Sequence, residues 1–260
     1  LEAGGVKLVQ CDLTNSGSVD RLFTDRGFEA IVHAAAEVST KEDPGFLRRA
    51  AAGNVHATAN LVAAAEAAAC SRFVFTSTIS VYGGRGAPAG GYLEDAADPD
   101  SYYGWSKRAG EELLDIAAGR TGMIAISLRL AGVHGLGRST GALAALTRRA
   151  LAGETMQLTD PDSRFRWAFI EDVSQAVKRC LEAGLPVGHR VANMASADSY
   201  TLQALAERIR NAAGSKSRIE CAGTQNRNEV MNIDRLQAQT GFVPLSLDDV
   251  LPGYITSARG

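Results

Sequence analysis

The chain has 260 residues, of which 45% are hydrophobic and 22% are charged, a composition typical of a globular protein with a sizeable core. This composition excludes intrinsic disorder and a collagen-like chain. Twenty-seven Lys and Arg residues against 29 Asp and Glu residues give a formal net charge of −2. No global basic field is therefore available for nucleic acid or anionic lipid.

Membrane and disulfide signals are weak. The longest apolar run, residues 60–70, is about half of the ~20 residues that a membrane span needs. The four cysteines are far apart and form no CxxC pair, so neither a metal site nor a disulfide framework is indicated. They are Cys11, Cys70, Cys180 and Cys221. We expect a soluble protein of the reducing cytoplasm, without membrane or nucleic-acid partners and without a bound metal.

The first half of the chain alternates between strand and helix patterns. Strands are predicted where apolar or β-branched residues cluster, and helices where apolar residues recur at helical spacing. The predicted strands cover residues 6–10, 30–36, 72–77 and 123–128. The predicted helices follow Ser16 or Ser18 as a cap and then cover residues 46–69 and 102–118, and long loops cover 83–99 and 132–141.

After about residue 141, the predicted helices and strands are shorter. Helices are expected at residues 142–152, 172–183 and 202–212, and β segments at 156–158, 167–170 and 190–193. Alternation of this kind predicts a doubly wound α/β sheet with a smaller mixed α/β C-terminal portion. We expect residues 1–140 to bind a dinucleotide and residues 141–260 mainly to bind substrate, with the two parts intertwined.

The chemistry is concentrated in the segment YGWSK, residues 103–107. Positions i and i+4 share a helix face, so the phenol of Tyr103 lies beside the ammonium of Lys107. Thr78 ends the strand RFVFTST, and in an open parallel sheet that end faces the ligand crevice. Three complementary polar groups are thereby predicted to converge.

On these motifs the chain resembles the extended short-chain dehydrogenase/reductases of the NAD-dependent epimerase/dehydratase family, most of which act on nucleotide sugars. The resemblance implies a Rossmann-like fold and an NAD or NADP cofactor, with NAD favoured. It further implies that Tyr103 is the catalytic acid/base, that Lys107 binds the nicotinamide ribose and lowers the tyrosine pKa, and that Thr78 orients the reacting hydroxyl. Relatives also suggest a homodimer formed through the helices at residues 46–69 and 102–118.

The proposed role of Tyr103 sets an energetic requirement. A phenol with a pKa near 10 must lose about 3 pH units, or about 4 kcal/mol, to act as a base near neutrality. A cation about 4 Å away at an effective dielectric of ~20 supplies an interaction of that size. Lys107 together with an oxidised nicotinamide ring would therefore suffice.

Further cofactor contacts are implied by matches elsewhere in the chain. Asp12-Leu13 resembles the pair that contacts adenine, although Asp12 is equally suited to cap a helix. The run HAAA at 33–36 resembles the small-residue loop after the fourth strand, NVHATAN at 54–60 resembles NVxGTxN, and RLAGVHG at 129–135 resembles RPxNVYG. The implied cofactor residues are Asp12, Leu13, Ala34, Ala35, Ala36, Asn54, Ser77, Tyr103, Lys107, Leu130 and Val133.

Substrate contacts are less well defined. The implied substrate residues are Val38, Ser39, Thr78, Arg138, Arg166 and Arg227. Guanidinium groups suit a diphosphate, because their planar fork matches phosphate oxygens. Gly132 replaces an asparagine that touches the sugar in many epimerases, and RFRWAFIEDV departs from RDFIHVxDV, with Phe169 in place of the histidine.

Two expected features are absent from the sequence. Ile79-Ser80 replace the Asp-Glu pair of sugar 4,6-dehydratases, which disfavours a dehydratase. Residues 1–30 contain no Gly-rich GxxGxxG turn to hold a pyrophosphate, and the chain begins at Leu1. We expect about 45 to 50 further residues upstream.

These observations favour an epimerase that acts on a nucleotide sugar through a transient keto intermediate. A dehydrogenase or ketoreductase of a sugar or other small carbonyl compound stays open, as does a non-catalytic dinucleotide-binding protein. Net NADH production separates the first two, and a Tyr103→Phe variant separates both from the third.

Overall fold

The computed structural model describes residues 5–24, 26–39, 41–224 and 227–259. Its helices are α1 (Ser16–Thr24), α2 (Pro44–Ala50), α3 (Ala57–Ala67), α4 (Tyr102–Thr121), α5 (Ala142–Ala152), α6 (Ile170–Glu182), α7 (Leu202–Ala212), α8 (Asp234–Thr240) and α9 (Leu247–Ala258). Its strands are β1 (Ala30–His33), β2 (Arg72–Thr78), β3 (Ile124–Leu130), β4 (Val133–His134), β5 (Met156–Thr159), β6 (Arg164–Phe165), β7 (Ala168–Phe169), β8 (Gly188–Met194), β9 (Tyr200–Thr201), β10 (Ile219–Ala222) and β11 (Asn228–Glu229). A π-helical segment, Ala51–His56, joins α2 to α3, and a 3-10 turn, Ile79–Tyr82, follows β2.

The central sheet has the strand order β1-β2-β3-β8, and β1 pairs with β2 in parallel from Ala30↔Arg72 to His33↔Phe75. Helices separate the strands along the chain, as parallel connections require. This architecture confirms the predicted α/β class.

The chain divides into two compact units that are each discontinuous in sequence. The first contains residues 1–81, 99–127 and 184–191, and the second contains 82–98, 128–183 and 192–260. The predicted division at residue 140 separates a dinucleotide-binding part from a substrate-binding part and does not refer to compact units. It stays a prediction.

Each unit has its own apolar core. In the first, side chains of α3 and α4 pack over β2, where Phe73 and Phe75 are almost completely buried. Gly110 permits the close approach of α4, because an added Cβ would lie 2.8 Å from the Phe75 ring. In the second, α5, α7 and α9 surround β5, with Leu205, Ile209 and Leu247 fully buried.

Most predicted elements are present, and the helices at 142–152 and 202–212 have the predicted bounds. The predicted strand at residues 6–10 is wrong: these residues pair with no described strand, and Val6 and Leu8 are largely exposed. The predicted β segment at 167–170 is only two residues long. It gives way to α6 at Ile170, because acidic residues in the first helical turn suit the positive end of the helix dipole.

The cap of α1 also differs from the prediction. Asn15, rather than Ser16 or Ser18, accepts the Ser18 N–H through its side chain at 2.9 Å. Asp12 does not cap the helix either, since its carboxylate accepts the N–H and hydroxyl of Thr14 at 2.9 and 2.8 Å. No helix within the described ranges is long and apolar enough to cross a bilayer.

Candidate active site

The candidate site lies in the first unit, where β2 ends and α4 begins. Ser101 caps α4 by accepting the Gly104 N–H at 3.1 Å, which fixes the first turn that carries Tyr103. Gly104 lets this turn approach the segment after β2, because an added Cβ would overlap the backbone carbonyl of Ser80. The missing side chain therefore sets the distance between Tyr103 and the end of β2.

Thr78 and Tyr103 share a side-chain hydrogen bond at this edge of the sheet. The Thr78 hydroxyl also contacts Ser80, whose N–H lies 3.2 Å away and whose hydroxyl lies 3.3 Å away. Burial raises the pKa of Tyr103 above its usual value, and the bond with Thr78 partly opposes this effect. The two side chains predicted to act on one substrate oxygen are thus close enough for one to influence the pKa of the other.

Lys107 lies one helical turn after Tyr103 and is only 2% exposed. Its ammonium nitrogen lies 4.1 Å from the centroid of the Phe75 ring, which is the geometry of a cation–π contact. Burial lowers the pKa of Lys107 to about 8, and the negative charge of Glu111 opposes that shift. The side chain is therefore close to losing its charge in the physiological range.

Lys107 is not among the groups that shift the pKa of Tyr103, so the lowering predicted for Lys107 together with an oxidised nicotinamide ring stays a prediction. Burial dominates, so the pKa of Tyr103 is raised, and only Thr78 lowers it. The ammonium of Lys107 faces the Phe75 ring. Base catalysis near neutral pH therefore requires further positive charge at the site.

Asn54 ties the loop after β1 to α4. It is buried in the π-helical segment, where it accepts the Glu37 N–H at 2.7 Å and donates to the Glu37 carbonyl at 3.0 Å. The same amide nitrogen donates to the Ser106 hydroxyl at 2.9 Å, and Ser106 donates to the Tyr103 carbonyl at 2.8 Å. Gly53 leaves room for this contact, because an added Cβ would lie 2.7 Å from Glu37 Cγ.

The loop after β1 is open to solvent. Ala34, Ala35, Ala36 and Val38 are exposed, and Ser39 is half-buried. The Ser39 hydroxyl accepts the N–H of Lys41 at 2.9 Å and donates to its carbonyl at 3.2 Å. Short side chains therefore leave the backbone accessible beside Asn54, whereas His33 before them is buried.

Other predicted cofactor residues of the first unit form hydrogen bonds within the protein. Asp12 is exposed and bonded to Thr14, and the Leu13 carbonyl accepts the side-chain amide of Asn60 at 2.8 Å. Ser77 is buried and donates to the Glu111 carboxylate at 2.7 Å, so its hydroxyl is directed at α4.

In the second unit, the predicted residues have mixed environments. Leu130 ends β3 and Val133 begins β4, and both are half-buried. Between them, Gly132 lies against an aromatic surface, since an added Cβ would be 3.4 Å from Trp167 Cδ1. Trp167 is itself flanked by His134 and Phe165, with ring centroids 5.0 and 5.7 Å away.

The three predicted substrate arginines differ in availability. Arg166 donates to the backbone carbonyls of Ser196, Ala197 and Met231 at 2.8, 2.8 and 3.0 Å, which commits its guanidinium to the protein. Arg138 donates to the Val133 carbonyl. Arg227 is exposed.

Sequence reasoning missed two members of the site. Ser106 links Asn54 to Tyr103, and Glu111 is a fully buried carboxylate bonded to Ser77. A signal for Glu111 existed, because it follows Lys107 by four residues and therefore shares its helix face.

Comparison with known proteins extends this description. The profile of the NAD dependent epimerase/dehydratase family matches residues 2–195. A 3beta-hydroxysteroid-dehydrogenase/decarboxylase isoform of Arabidopsis thaliana is 28% identical over 206 residues, which cover 77% of this chain and 35% of that protein. An L-arabinose 1-dehydrogenase (NAD(P)(+)) of Haloferax volcanii is 28% identical over 228 residues, covering 80% of this chain and 81% of that protein.

Solved structures show the same fold. A UDP-glucose 4-epimerase of Thermotoga maritima, solved with UDP-glucose, has a TM-score of 0.82 at 22% identity and covers 96% of this chain and 83% of that one. The enzyme WbmG of Bordetella bronchiseptica, solved with NAD and UDP, has a TM-score of 0.83 at 22% identity, with 100% and 81% coverage. The predicted Rossmann-like fold is thereby confirmed. The chain spans about a third of the length of the steroid dehydrogenase relative.

Proposed function

Because the chain belongs to the NAD-dependent epimerase/dehydratase family, we propose that it is an NAD(P)-dependent enzyme that interconverts a hydroxyl and a carbonyl group of its substrate. The favoured reaction is epimerisation of a nucleotide sugar through a keto intermediate. The neighbours solved with UDP-glucose, or with NAD and UDP, support this substrate class at the level of the fold.

The observation that carries the proposal is the hydrogen bond between Thr78 and Tyr103. Both hydroxyls lie at the carboxyl end of β2, the edge of a parallel sheet at which ligands bind. A substrate hydroxyl that replaces or extends this bond would meet a proton acceptor and a second oxygen that holds it in place. The geometry therefore favours proton transfer at one carbinol oxygen.

The residues present fit the ribose and nicotinamide end of a dinucleotide. Lys107 offers an ammonium one turn from Tyr103, and the exposed alanine loop after β1 leaves its backbone approachable. The amide of Asn54 fixes that loop. No Gly-rich turn for the pyrophosphate occurs within residues 1–30. When bound, a nicotinamide nucleotide supplies the hydride acceptor and donor.

We assign the following roles to this chain's own residues. Tyr103 takes the substrate hydroxyl proton as the carbonyl forms and returns it when the carbonyl is reduced. Thr78 orients the oxygen throughout, and Lys107 binds ribose hydroxyls. In the epimerase reaction the keto sugar must turn over within the site before reduction, whereas in a dehydrogenase it leaves.

A sugar dehydrogenase is the second candidate, and a specific observation favours it. Arg166, predicted to bind a diphosphate, already donates to three backbone carbonyls. A substrate without a diphosphate needs no such arginine. The L-arabinose 1-dehydrogenase relative, matched over most of both chains, agrees with this alternative.

A 4,6-dehydratase stays disfavoured in our proposal. Elimination of water from a sugar needs a second acid/base, and Ile79 and Ser80 occupy the positions after Thr78 where such enzymes place carboxylates. Assays should nevertheless include dehydration, because relatives with that activity share the family.

The decisive experiment incubates the protein with NAD or NADP and a panel of UDP- and dTDP-sugars and free aldoses. Absorbance at the nicotinamide band reports net reduction, and NMR of the sugars reports epimers. Epimers without net NADH support the favoured reaction, and stoichiometric NADH supports the dehydrogenase.

Tyr103→Phe is the matched control, because it removes only the reacting hydroxyl. Turnover should fall by at least ~100-fold, the contribution typical of a general acid/base. Unchanged turnover would overturn the assignment of Tyr103. Dinucleotide binding without turnover of any sugar would support the non-catalytic alternative.

A further inference from the structure

A buried carboxylate lies one helical turn beyond Lys107. Glu111 is 0% exposed, and its two carboxylate oxygens have different partners. One accepts the Ser77 hydroxyl of β2 at 2.7 Å, and the other accepts Arg108 Nη1 at 3.1 Å. A carboxylate this deep is costly to bury, so its environment must repay that cost.

Lys107 is likewise a charged side chain that is costly to bury. Its ammonium is equally buried, and in the described part of the chain its assigned close partner is the face of the Phe75 ring. A ring face compensates only part of the hydration that the cation gives up. Glu111 lies four residues later on the same helix face, and its negative charge favours the charged form of Lys107.

We propose that Glu111 is a positioning residue of the site, whose buried carboxylate keeps Lys107 charged and over the Phe75 ring. Ser77 and Arg108 hold that carboxylate in place. The inference rests on the proposed function only where it concerns turnover. The charge state of Lys107 can be measured without any reaction.

Other titratable groups near this pair do not substitute for Glu111. His33 of β1 faces Lys107, and burial lowers its pKa to about 4, so it is neutral above pH 5. His189 of β8 feels the charges of Glu111, Asp115 and Arg108, and burial lowers its pKa as well. Tyr103 is neutral until well into the alkaline range, because its pKa is raised.

The test measures the titration of Lys107 directly. The chain contains five lysines, so 13C-lysine labelling gives five Cε signals, and the signal missing from Lys107→Arg assigns the site. In the wild type this signal should titrate near pH 8. In Glu111→Gln the midpoint should fall by about one pH unit, the expected effect of one buried charge.

Glu112→Gln is the matched control. It removes the same charge one residue later, and Glu112 also contacts Arg108, at 3.3 Å, but its side chain is 61% exposed. The Lys107 midpoint should not move in this variant. A Glu111→Asp variant keeps the charge and should stay closer to the wild type than Glu111→Gln.

An unchanged midpoint in folded Glu111→Gln, or an equal change in Glu112→Gln, overturns the proposal. If Glu111→Gln does not fold by circular dichroism, Ser77→Ala replaces it. Loss of the hydroxyl frees the carboxylate to turn toward Arg108 and the surface, so the midpoint should fall in the same direction. No change in Ser77→Ala would then overturn the proposal.

Turnover gives a second, separable measurement. The alkaline limb of the kcat/KM profile should move to lower pH in Glu111→Gln, with activity at pH 6.5 reduced less than threefold. A uniform loss at all pH values would indicate a structural role and overturn the proposal. If the wild type turns over no substrate, the proposed function fails, and the NMR midpoint alone decides the role of Glu111.

Discussion

Asn54 holds the backbone of Glu37 from both sides, accepting its N–H at 2.7 Å and donating to its carbonyl at 3.0 Å. A residue whose N–H and carbonyl are both bonded in this way behaves like one paired in a sheet, although Glu37 belongs to a loop. The third bond, to Ser106, connects that loop to the helix of Tyr103. One amide therefore sets the spacing between the proposed cofactor loop and the proposed catalytic helix.

We predict that Asn54→Ala lowers the free energy of unfolding by about 2 kcal/mol, because three polar groups lose a partner. Turnover should fall at least ~10-fold, since the loop and α4 are no longer linked. Urea denaturation and steady-state kinetics measure the two effects. Asn60→Ala is the control: it removes a single bond to the Leu13 carbonyl and should cost about 1 kcal/mol with kcat unchanged. Equal effects of both variants on kcat would contradict the assigned role.

Gly104 and Gly119 provide a matched pair within α4. An added Cβ at Gly104 would overlap the Ser80 carbonyl, whereas at Gly119 it would meet nothing within 4 Å. We expect Gly104→Ala to lower the melting temperature and to reduce turnover, because the Tyr103 turn must move away from Thr78. Gly119→Ala should raise stability by roughly 0.5–1 kcal/mol through helix propensity. Calorimetry compares them, and a Gly104→Ala protein with normal stability and turnover would refute this reading.

Arg166 and Arg227 should separate stability from binding. Arg166→Lys cannot reproduce three guanidinium bonds to backbone carbonyls, so we expect a loss of about 2 kcal/mol in the free energy of unfolding. Its KM should change little. Arg227→Ala should leave stability within about 0.5 kcal/mol and raise KM for a diphosphate substrate. A raised KM with little loss of stability in Arg166→Lys would instead indicate that Arg166 binds substrate.

Acidification should destabilise the fold through its buried histidines. Burial lowers the folded-state pKa of His33 and of His134 to about 4, against 6.5 in the unfolded chain. Between these values only the unfolded chain binds the proton, so stability is lost as pH falls. Each histidine contributes a loss of about 2 kcal/mol between pH 7 and pH 5. Urea denaturation at both pH values measures the sum.

Two variants test this account of the pH dependence. His33→Gln should show a loss on acidification that is about 2 kcal/mol smaller than the wild-type loss. Asp172 acts in the opposite direction, because burial raises its pKa to about 6 and the folded chain then binds the proton first. Asp172→Asn should therefore enlarge the loss on acidification. A wild type whose stability is the same at pH 5 and pH 7, or variants that lose as much stability on acidification as the wild type, would disprove the assignment.

The outer face of α4 offers a test of the predicted homodimer. Trp105 and Ile116 are 42% and 61% exposed, and eleven residues, or three helical turns, separate them on one face. We expect Ile116→Glu to convert a dimer into a monomer in light scattering, with the circular dichroism spectrum unchanged. The exposed Glu112 on the same face gives the control, Glu112→Gln, which should stay dimeric. A monomeric wild type would contradict the predicted homodimer.

The predictable parts of this protein are those whose signal is local. The buried run of β2 and the Tyr103-Lys107 spacing depend on periodicity alone, and both elements form as predicted. The strand predicted at residues 6–10 was wrong because a strand depends on pairing, which periodicity does not encode. The occupied guanidinium of Arg166 depends on carbonyls 30 and more residues away, so its sequence could suggest a charge but not its partners.

Asn54 is a second example of a feature that the sequence alone does not predict. Its family motif indicated a polar helix residue, but its contact with Glu37 is made from within the π-helical segment Ala51–His56. Alanine-rich sequence around it predicts only a regular helix. Tertiary bonding, rather than propensity, selects the π-helical form here.

The π-helical segment changes the angular position of all later side chains in an otherwise regular helix. An inserted residue turns every later side chain by about 100° relative to a plain α-helix. Deleting one alanine between Ala50 and Gly53 would restore regular winding on paper, yet it would rotate α2 against α3. Asn54 or the apolar face that covers β2 would then point the wrong way. The extra residue therefore lets one helical stretch direct its apolar face at the core and Asn54 at the loop after β1.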